Sequence, residues 1–297
     1  MNDEKKLMKN LSFTGERPLY GRSGFRAEDC VFRDGESPLK ECRDVELSRC
    51  VFDWKYPLWY CSGVAAESCT LNVGARAAIW YSDGISFRDS SIDAPKAFRR
   101  CRGITLDRVS FTNADETLWG CDGVVLRSVT AENGSYFAMN SRNIEVDGLT
   151  LSGNYAFDGA ENVVIRNSRL VTKDAFWNSR NVTVYDSFIS GEYLGWNSEG
   201  LTLIDCPIES HQGLCYIDRL KLTGCTMTDT DLAFEYSDVE ADNLRGKAVS
   251  IFNPRRGWIT IDRIDELIVE PDRVDPLACV IDCPEIIKRS EKPEWLR

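Results

Sequence analysis

A 19-residue unit written twice in tandem constrains this chain more than any other feature. Residues 180–198 read R-N-V-T-V-Y-D-S-F-I-S-G-E-Y-L-G-W-N-S, and residues 161–179 read E-N-V-V-I-R-N-S-R-L-V-T-K-D-A-F-W-N-S. Each copy sets an Asn before Val-x-Val or Val-x-Ile, then a small residue, an aliphatic, a polar loop, an aromatic segment and Asn-Ser. Near-copies run from Phe25 to Ser237. One such unit cannot bury its apolar face alone, so the copies must stack into a solenoid.

The repeat also says which residues face inward. One position is aliphatic at Val45, Val64, Ile85, Ile104, Val124, Ile144, Val163, Val182, Leu201 and Leu220. Two residues on lies a second apolar column, from Leu47 to Leu222, and a spacing of two is the period of a strand with one buried face. Three residues further a column from Cys50 to Cys225 begins a second pair, which ends at Phe52 to Met227; the odd step requires a bend. Another apolar column, including Leu58, Phe98, Leu118, Phe157, Phe176 and Phe234, predicts a third short strand. Gly63, Gly84, Gly103, Gly123, Asn143, Asn162, Asn181 and Gly200 mark the turn between copies, being residue types that accept positive φ cheaply. The chain is therefore read as all-β, a right-handed parallel β-helix of about eleven coils with three short strands per coil, its hand following the chirality of parallel crossovers. Strict hexapeptides, which a left-handed β-helix needs, are absent, and so is the helical period of leucine-rich repeats.

Residues 1–24 fall outside the pattern and read as an N-terminal cap, since an open terminal coil exposes its core and strand edges. Residues 25–237 are the coils, 238–270 a decayed coil with capping strands, and 271–297 an irregular tail packed along the body.

Forty-seven acidic residues against 36 basic ones give a net charge of −11, which repels nucleic acid and anionic membrane surfaces, so neither is an expected partner. No 18-residue apolar span predicts a transmembrane helix, and no apolar run near Met1 predicts a signal peptide; the expected location is cytoplasmic. Of twelve cysteines, Cys30, Cys50 and Cys69 share one interior column. Cys42, Cys61, Cys101 and Cys121 share another with Ser82, Ser141, Ser179 and Ser198. Exchange with Ser at a packed position indicates a small-volume requirement and reduced thiols. Cys279 and Cys283 have no further Cys/His pair nearby, so no metal and no cofactor are expected.

Chemistry must lie outside the filled coil. The outward column after the third apolar one reads Lys40, Trp59, Trp80, Arg99, Trp119, Met139, Asp158, Trp177, Trp196, Cys215 and Glu235. Exposed aromatic surface marks an interaction site, and flat indoles suit the apolar C–H faces of sugar rings. Coverage of the stripe by the tail, or by a second subunit in a homo-oligomer, is the competing expectation. Glycoside hydrolysis needs two carboxyls roughly 5–9 Å apart, and Asp158 and Asp174 are the candidate catalytic pair. Trp119, Trp177 and Trp196 are candidate substrate-binding residues, with Arg99 to hold an acidic sugar. The adjacent column contains Asn140, Asn178 and Asn197, which read as an amide ladder. His211, the single histidine, stands near Glu209 and reads as a surface residue. No P-loop, dinucleotide fingerprint, EF-hand loop or nucleophile elbow is present.

The segments F-W-N-S-R-N-V and G-W-N-S-E-G-L, with the opening L-S-F-T-G-E-R-P-L-Y-G-R and the later S-I-F-N-P-R, resemble an uncharacterised bacterial family of pectin-lyase-like, single-stranded right-handed β-helix proteins. The resemblance covers nearly the whole chain and implies that fold, with no established activity. The wider superfamily includes secreted pectate lyases, polygalacturonases and pectin methylesterases. This chain lacks the Asn-Thr-Asp and Gly-His-Gly motifs of polygalacturonases and the Trp-Ile-Asp-His and Arg-x-Pro-x-x-Arg segments of pectate lyases. Fold alone does not carry function. Three readings remain: a hydrolase or lyase on an oligosaccharide along the Trp stripe, a non-catalytic carbohydrate-binding protein, and a structural scaffold that uses the stripe as an interface.

Overall fold

Successive side chains on a strand alternate between its faces, so Val182 and Val184 share one side, and in the computed structural model, which describes residues 5–292, that side is fully buried. The same holds for every member of the aliphatic column from Val45 to Leu220. Like residues stack on like in parallel register: Ile85 pairs with Ile104, Ile104 with Val124, and Val124 with Ile144. Farther along, Val163 pairs with Val182 and Val182 with Leu201. The architecture is an all-β parallel β-helix. Among the described residues the single 3₁₀ turn Val73–Ala75 is the only helical element, and no helix is long and apolar enough to cross a membrane.

The chain divides into two compact units, residues 1–152 and 153–297. In the first, coils stack through Lys6, Phe25, Val45, Val64, Ile85, Ile104, Val124 and Ile144, which makes eight. In the second they stack through Val163, Val182, Leu201, Leu220, Val239, Gly257 and Cys279, which makes seven. The described residues thus form about 15 coils where the sequence suggested eleven.

Both ends account for the difference. Residues expected as a cap form a coil: Lys6–Lys9 pairs with Ser23–Glu28, and Ser12–Phe13 with Val31–Phe32. Phe13, Phe32 and Phe52 stack with centroids 5.0 and 4.6 Å apart. That coil hides from periodicity because its leading strand buries Met8 alone. At the other end Asp238–Phe252 pairs with Arg256–Ile268 through register shifts between Ala241 and Leu244 and between Leu244 and Lys247. Such bulges insert residues without ending the ladder. The expected irregular tail supplies Cys279–Asp282 and Glu285–Ser290, both paired in parallel with Arg256–Ile268. Residues 1–4 of the expected cap and 293–297 of the expected tail lie outside the described residues.

The third side of each coil also departs from expectation. Among the described residues it is a short strand where Ile79–Trp80 pairs with Phe98–Arg99, and at the C-terminal coils it is taken up by long strands, where Ile251 pairs with Leu267 and Phe252 with Ile268. Elsewhere it is a turn with alternate residues left-handed, as at Asp174, Phe176 and Asn178, with φ of 55°, 61° and 54°. A left-handed non-glycine residue costs about 1–2 kcal/mol. Full burial of Phe157 and Phe176, with rings 5.6 Å apart, offsets that.

The Cys/Ser column closes this side. Cys61 Sγ donates to the Leu39 carbonyl at 3.1 Å, Ser82 Oγ to Leu58 at 2.8 Å, and Cys101 Sγ to Ile79 at 3.2 Å. In the second unit Ser237 Oγ donates to Leu214 at 2.8 Å. At these coils the small side chain also donates, whereas Ser179 Oγ in the same column has no partner. All twelve cysteines are free and all but Cys283 are buried; burial pushes the Cys42 and Cys61 thiols up to about 11 and about 12.

Candidate functional site

The turns of the third side carry the outward columns. In the first unit Trp59 and Trp80 stack at 5.0 Å and 7°, and their indole N–H groups donate to the carbonyls of Ala77 and Lys96. The Arg99 guanidinium lies between Trp80 and Trp119, 4.8 and 4.9 Å from the ring centroids. It also donates to Glu116, whose carboxylate takes Lys96 as well at 2.9 Å. Burial pushes Glu116 up, but the two cations outweigh it and hold that carboxyl below its ordinary value. Arg99, expected to hold an acidic sugar, is paired with Glu116, which it shares with Lys96, and Trp119 closes the stack on it; its buried Nε has no hydrogen-bond partner.

Four predicted site residues, Asp158, Asp174, Trp177 and Trp196, lie in the second unit. Trp177 and Trp196 stack at 5.8 Å and 18°, and Trp196 and Tyr216 at 5.1 Å and 20°. Tyr155 tilts against Trp177 at 6.0 Å, and Tyr193 meets Trp196 edge-on at 5.3 Å. The indole faces of this stripe therefore lie largely against other rings, so a sugar approaching from outside meets edges more than faces. Both tryptophans are partly exposed, and the described tail strands pair with Arg256–Ile268 instead of covering them.

Asp158 interrupts the tryptophan column and is partly exposed. Its Oδ1 accepts from Asn178 Nδ2 at 3.2 Å, and Asn178 Oδ1 accepts from Asn197 at 2.7 Å, so the expected amide ladder is present and ends on this carboxyl. Burial pushes Asp158 above its ordinary value against the opposing Asn178 bond.

Asp174 occupies the position one coil from both Tyr155 and Tyr193, as the bonds Tyr155 N–H to Lys173 O, Asp174 N–H to Glu192 O and Tyr193 N–H to His211 O establish. It is 1% exposed, and neither carboxyl oxygen has a hydrogen-bond partner. Burial is the main force raising it. Lys173 opposes, Glu192 adds, the Tyr155 hydroxyl opposes from outside hydrogen-bond geometry, and Asp158 adds. Lys173 pairs with Glu192 at 3.1 Å and lies 5.1 Å over the Tyr193 ring. The expectation that Asp174 stands across a bond from Asp158 is not met, because an enclosed carboxyl cannot touch a substrate.

Sequence reasoning passed over Tyr155, Tyr193 and Lys173. They share columns with Asp174 and its neighbour, and a column-by-column reading one step earlier in the loop finds them. His211 also gains a partner: Nδ1 meets Asp231 Oδ1 at 2.7 Å, and its ring lies 6.3 Å from Tyr193. Asp231 is one coil away, so the repeat period held that signal. Both residues help line a shallow groove of about 600 Å³ with Ser250 and Glu266. Among the described residues no three His, Cys, Asp or Glu side chains are gathered as metal ligands.

Residues 6–282 match the model of a family described as "Protein of unknown function (DUF3737)". No sequence among the curated proteins matches the chain. Several solved structures are similar in backbone course. The Streptococcus pneumoniae surface adhesin PfbA is 8% identical over 95% of this chain and 82% of its own, with a TM-score of 0.42. The A-module of the Azotobacter vinelandii mannuronan C-5 epimerase AlgE4 is 8% identical over 97% and 89%, at 0.35. A tailspike protein of the E. coli bacteriophage HK620, solved with a pentasaccharide, is 9% identical over 93% and 70%, at 0.38. Similarity at this level carries no chemistry across.

Proposed function

Because the chain belongs to the DUF3737 family, proteins of unknown function, its activity has to come from its own residues, and we propose that it cleaves an oligosaccharide at the Asp158 face of its second unit. The observation that carries the reading is Asp174, enclosed and without a hydrogen-bond partner beside a second carboxyl. A buried polar group without a partner destabilises a fold by roughly 1–3 kcal/mol, more when charged. Uncompensated carboxyls with raised pKa gather at sites that handle protons. Because each negative charge disfavours the other, the pair keeps a proton to higher pH than a lone carboxyl does.

Asp158 is the member a substrate can touch, and its role is to protonate the departing glycosidic oxygen. Solvent water completes the hydrolysis: it adds to the anomeric carbon as the C–O bond breaks and gives its proton to bulk water, from which Asp158 is reprotonated. Asp174 is a positioning residue that keeps the Asp158 proton available. Tyr155, Trp177 and Tyr193 supply apolar edges around the site. A panel of neutral, acidic and basic oligosaccharides, followed by reducing-end release and by the ultraviolet absorbance of unsaturated products, tests the proposal. Turnover is expected for the native protein and lost in Asp158→Asn, with binding retained. An absence of both binding and turnover across the panel removes the proposal, and binding without turnover converts it to a non-catalytic lectin-like role.

One observation favours a second reading. The face-to-face stack of Trp177, Trp196 and Tyr216 binds coil to coil and leaves a partly exposed aromatic stripe. A scaffold that self-associates through this stripe fits it too. Sedimentation of the native protein against Trp177→Ala separates the two, since only the scaffold reading makes oligomeric state depend on that side chain.

A further inference from the structure

We infer that the strand Glu285–Ser290 of the second unit is the edge through which two copies of this chain pair. Among the described residues it is bonded along one edge only, to Arg256–Ile268. The Val269 N–H donates to the Ser290 carbonyl at 2.9 Å, so Ser290, and with it Lys288 and Ile286, turns its backbone groups toward that neighbour. Successive residues of a strand direct those groups to opposite edges. The N–H and C=O groups of Glu285, Ile287 and Arg289 therefore face the open edge. The Glu285 carbonyl takes a bond from the Cys283 thiol at 3.3 Å and keeps a second lone pair. Such a row of free backbone groups is a template for another strand.

The side chains at the same three positions are exposed, Ile287 by 57%. Among the described residues the Arg289 guanidinium has no partner, and Glu285 reaches Arg263 at the long distance of 3.4 Å. Two copies related by a two-fold axis normal to the sheet run antiparallel, and edge-facing residues must oppose edge-facing residues. Centred on Ile287, the pairing sets Ile287 against its own copy and Glu285 against Arg289, twice over. Centred on Ile286 it sets Arg289 against Cys283 and Glu285 against Ile287, and centred on Lys288 it sets Glu285 against Glu291. Opposite charges and apolar pairs across strands stabilise, and like charges destabilise, so the register on Ile287 is selected. The strand Lys6–Lys9 of the first unit makes the contrast. It too is bonded on one edge, to Ser23–Glu28, but its charges are lysines alone, and a copy of itself would meet like charge.

Sedimentation equilibrium of the full chain tests this. At about 50 µM, where a dimer of micromolar affinity is formed, the mass should be twice that of one chain. Arg289→Glu sets like charges opposite each other at both ends of the pairing and should weaken association about tenfold. Glu285→Arg should do the same, and the two together should restore the dimer, because the pairs are then exchanged and not lost. Melting curves confirm that each variant folds. A native protein that stays monomeric overturns the inference, as does a dimer indifferent to both single substitutions or a folded double variant that stays monomeric. Loss of the dimer in Trp177→Ala, with both charge variants still dimeric, moves the interface to the aromatic stripe. Mass that keeps growing with concentration replaces the closed pair by open-ended pairing with Lys6–Lys9. None of these outcomes bears on the carbohydrate reading, which stands or falls on its own panel.

Discussion

Replacing Asp174 by Asn should stabilise the protein at neutral pH while damaging its site. The side chain is 1% exposed, and both oxygens lack hydrogen-bond partners. Asn has nearly the same shape and tolerates the left-handed φ of 55° found there. It removes a buried charge and the repulsion from Glu192 and Asp158, at the loss of one attraction from Lys173. The carboxamide is as unpartnered as the carboxyl it replaces, so the gain is the charge's share alone, about 1.4 kcal/mol for each unit by which the folded pKa exceeds the unfolded one. At about 2 °C per kcal/mol for a chain of this size, the melting temperature should rise by a few degrees. The pH dependence gives a second readout. Burial raises the folded carboxyl above its ordinary value of 3.8, so between that value and its folded one the native state holds a proton that the unfolded chain has lost. Stability from that proton is fully present below the unfolded pKa and is lost as pH rises through the folded one. The gap between Asp174→Asn and the native protein should therefore be widest at about pH 7.5 and narrow toward about pH 4. Melting curves at both pH values decide it. A variant that melts no higher than the native protein at neutral pH, or a gap indifferent to pH, would show that the carboxyl is satisfied, and the functional argument would fall with it.

Three further outcomes test the fold. Val163→Asp sets an unpaired charge where the side chain is fully buried, and should cost several kcal/mol and most of the expression yield; unchanged melting would refute the stacked interior. Ser82→Ala deletes a hydroxyl that accepts from the Cys61 N–H at 2.9 Å and donates to the Leu58 carbonyl at 2.8 Å, for a loss of about 1–3 kcal/mol in chemical denaturation. Ser82→Cys should lose much less, and equal losses would rule out the donor role. Thiol titration after denaturation without reductant should find twelve reactive groups, most of them slow in the native protein because eleven are buried, whereas a count of a few would mean disulfides.

Inward columns were readable because strand period and copy length together leave no choice. Val163, Val182 and Leu201 can be apolar at 19-residue spacing only if each coil lands on the last. The third side was not readable in the same way. Phe157 and Phe176 give the same apolar spacing whether their backbone is extended or left-handed, and the structure uses the left-handed form. Coil number escaped where bulges at Leu244 changed the spacing without ending the ladder. At the candidate site, sequence placed Asp158 and Asp174 near each other but could not tell which one reaches solvent. Tyr155 and Tyr193 stand one coil to each side of the buried Asp174, and that placement is visible only once the left-handed turn sets which column lies over which. Arg99 misled for a related reason, since its Glu116 partner sits 17 residues on and meets it only through the coil.

Stacking gives every outward position a default residue. A side chain's nearest neighbours are its own column members one coil above and below, so like types reinforce one another: Trp177 and Trp196 by ring stacking, Asn178 and Asn197 by an amide bond. A residue that departs from its column forfeits that contact and needs another source of stability. Arg99 departs from a tryptophan column and recovers through both neighbouring rings and Glu116. Glu116 in turn is held by Lys96 and Arg99. Asp158 departs from the column of Trp177 and Trp196 and recovers one bond, from Asn178. Asp174 departs from the column of Tyr155 and Tyr193 and recovers none. Two under-compensated departures, one coil apart and both acidic, gain little or nothing from the stack itself, and that sets this face apart from the rest of the outward surface.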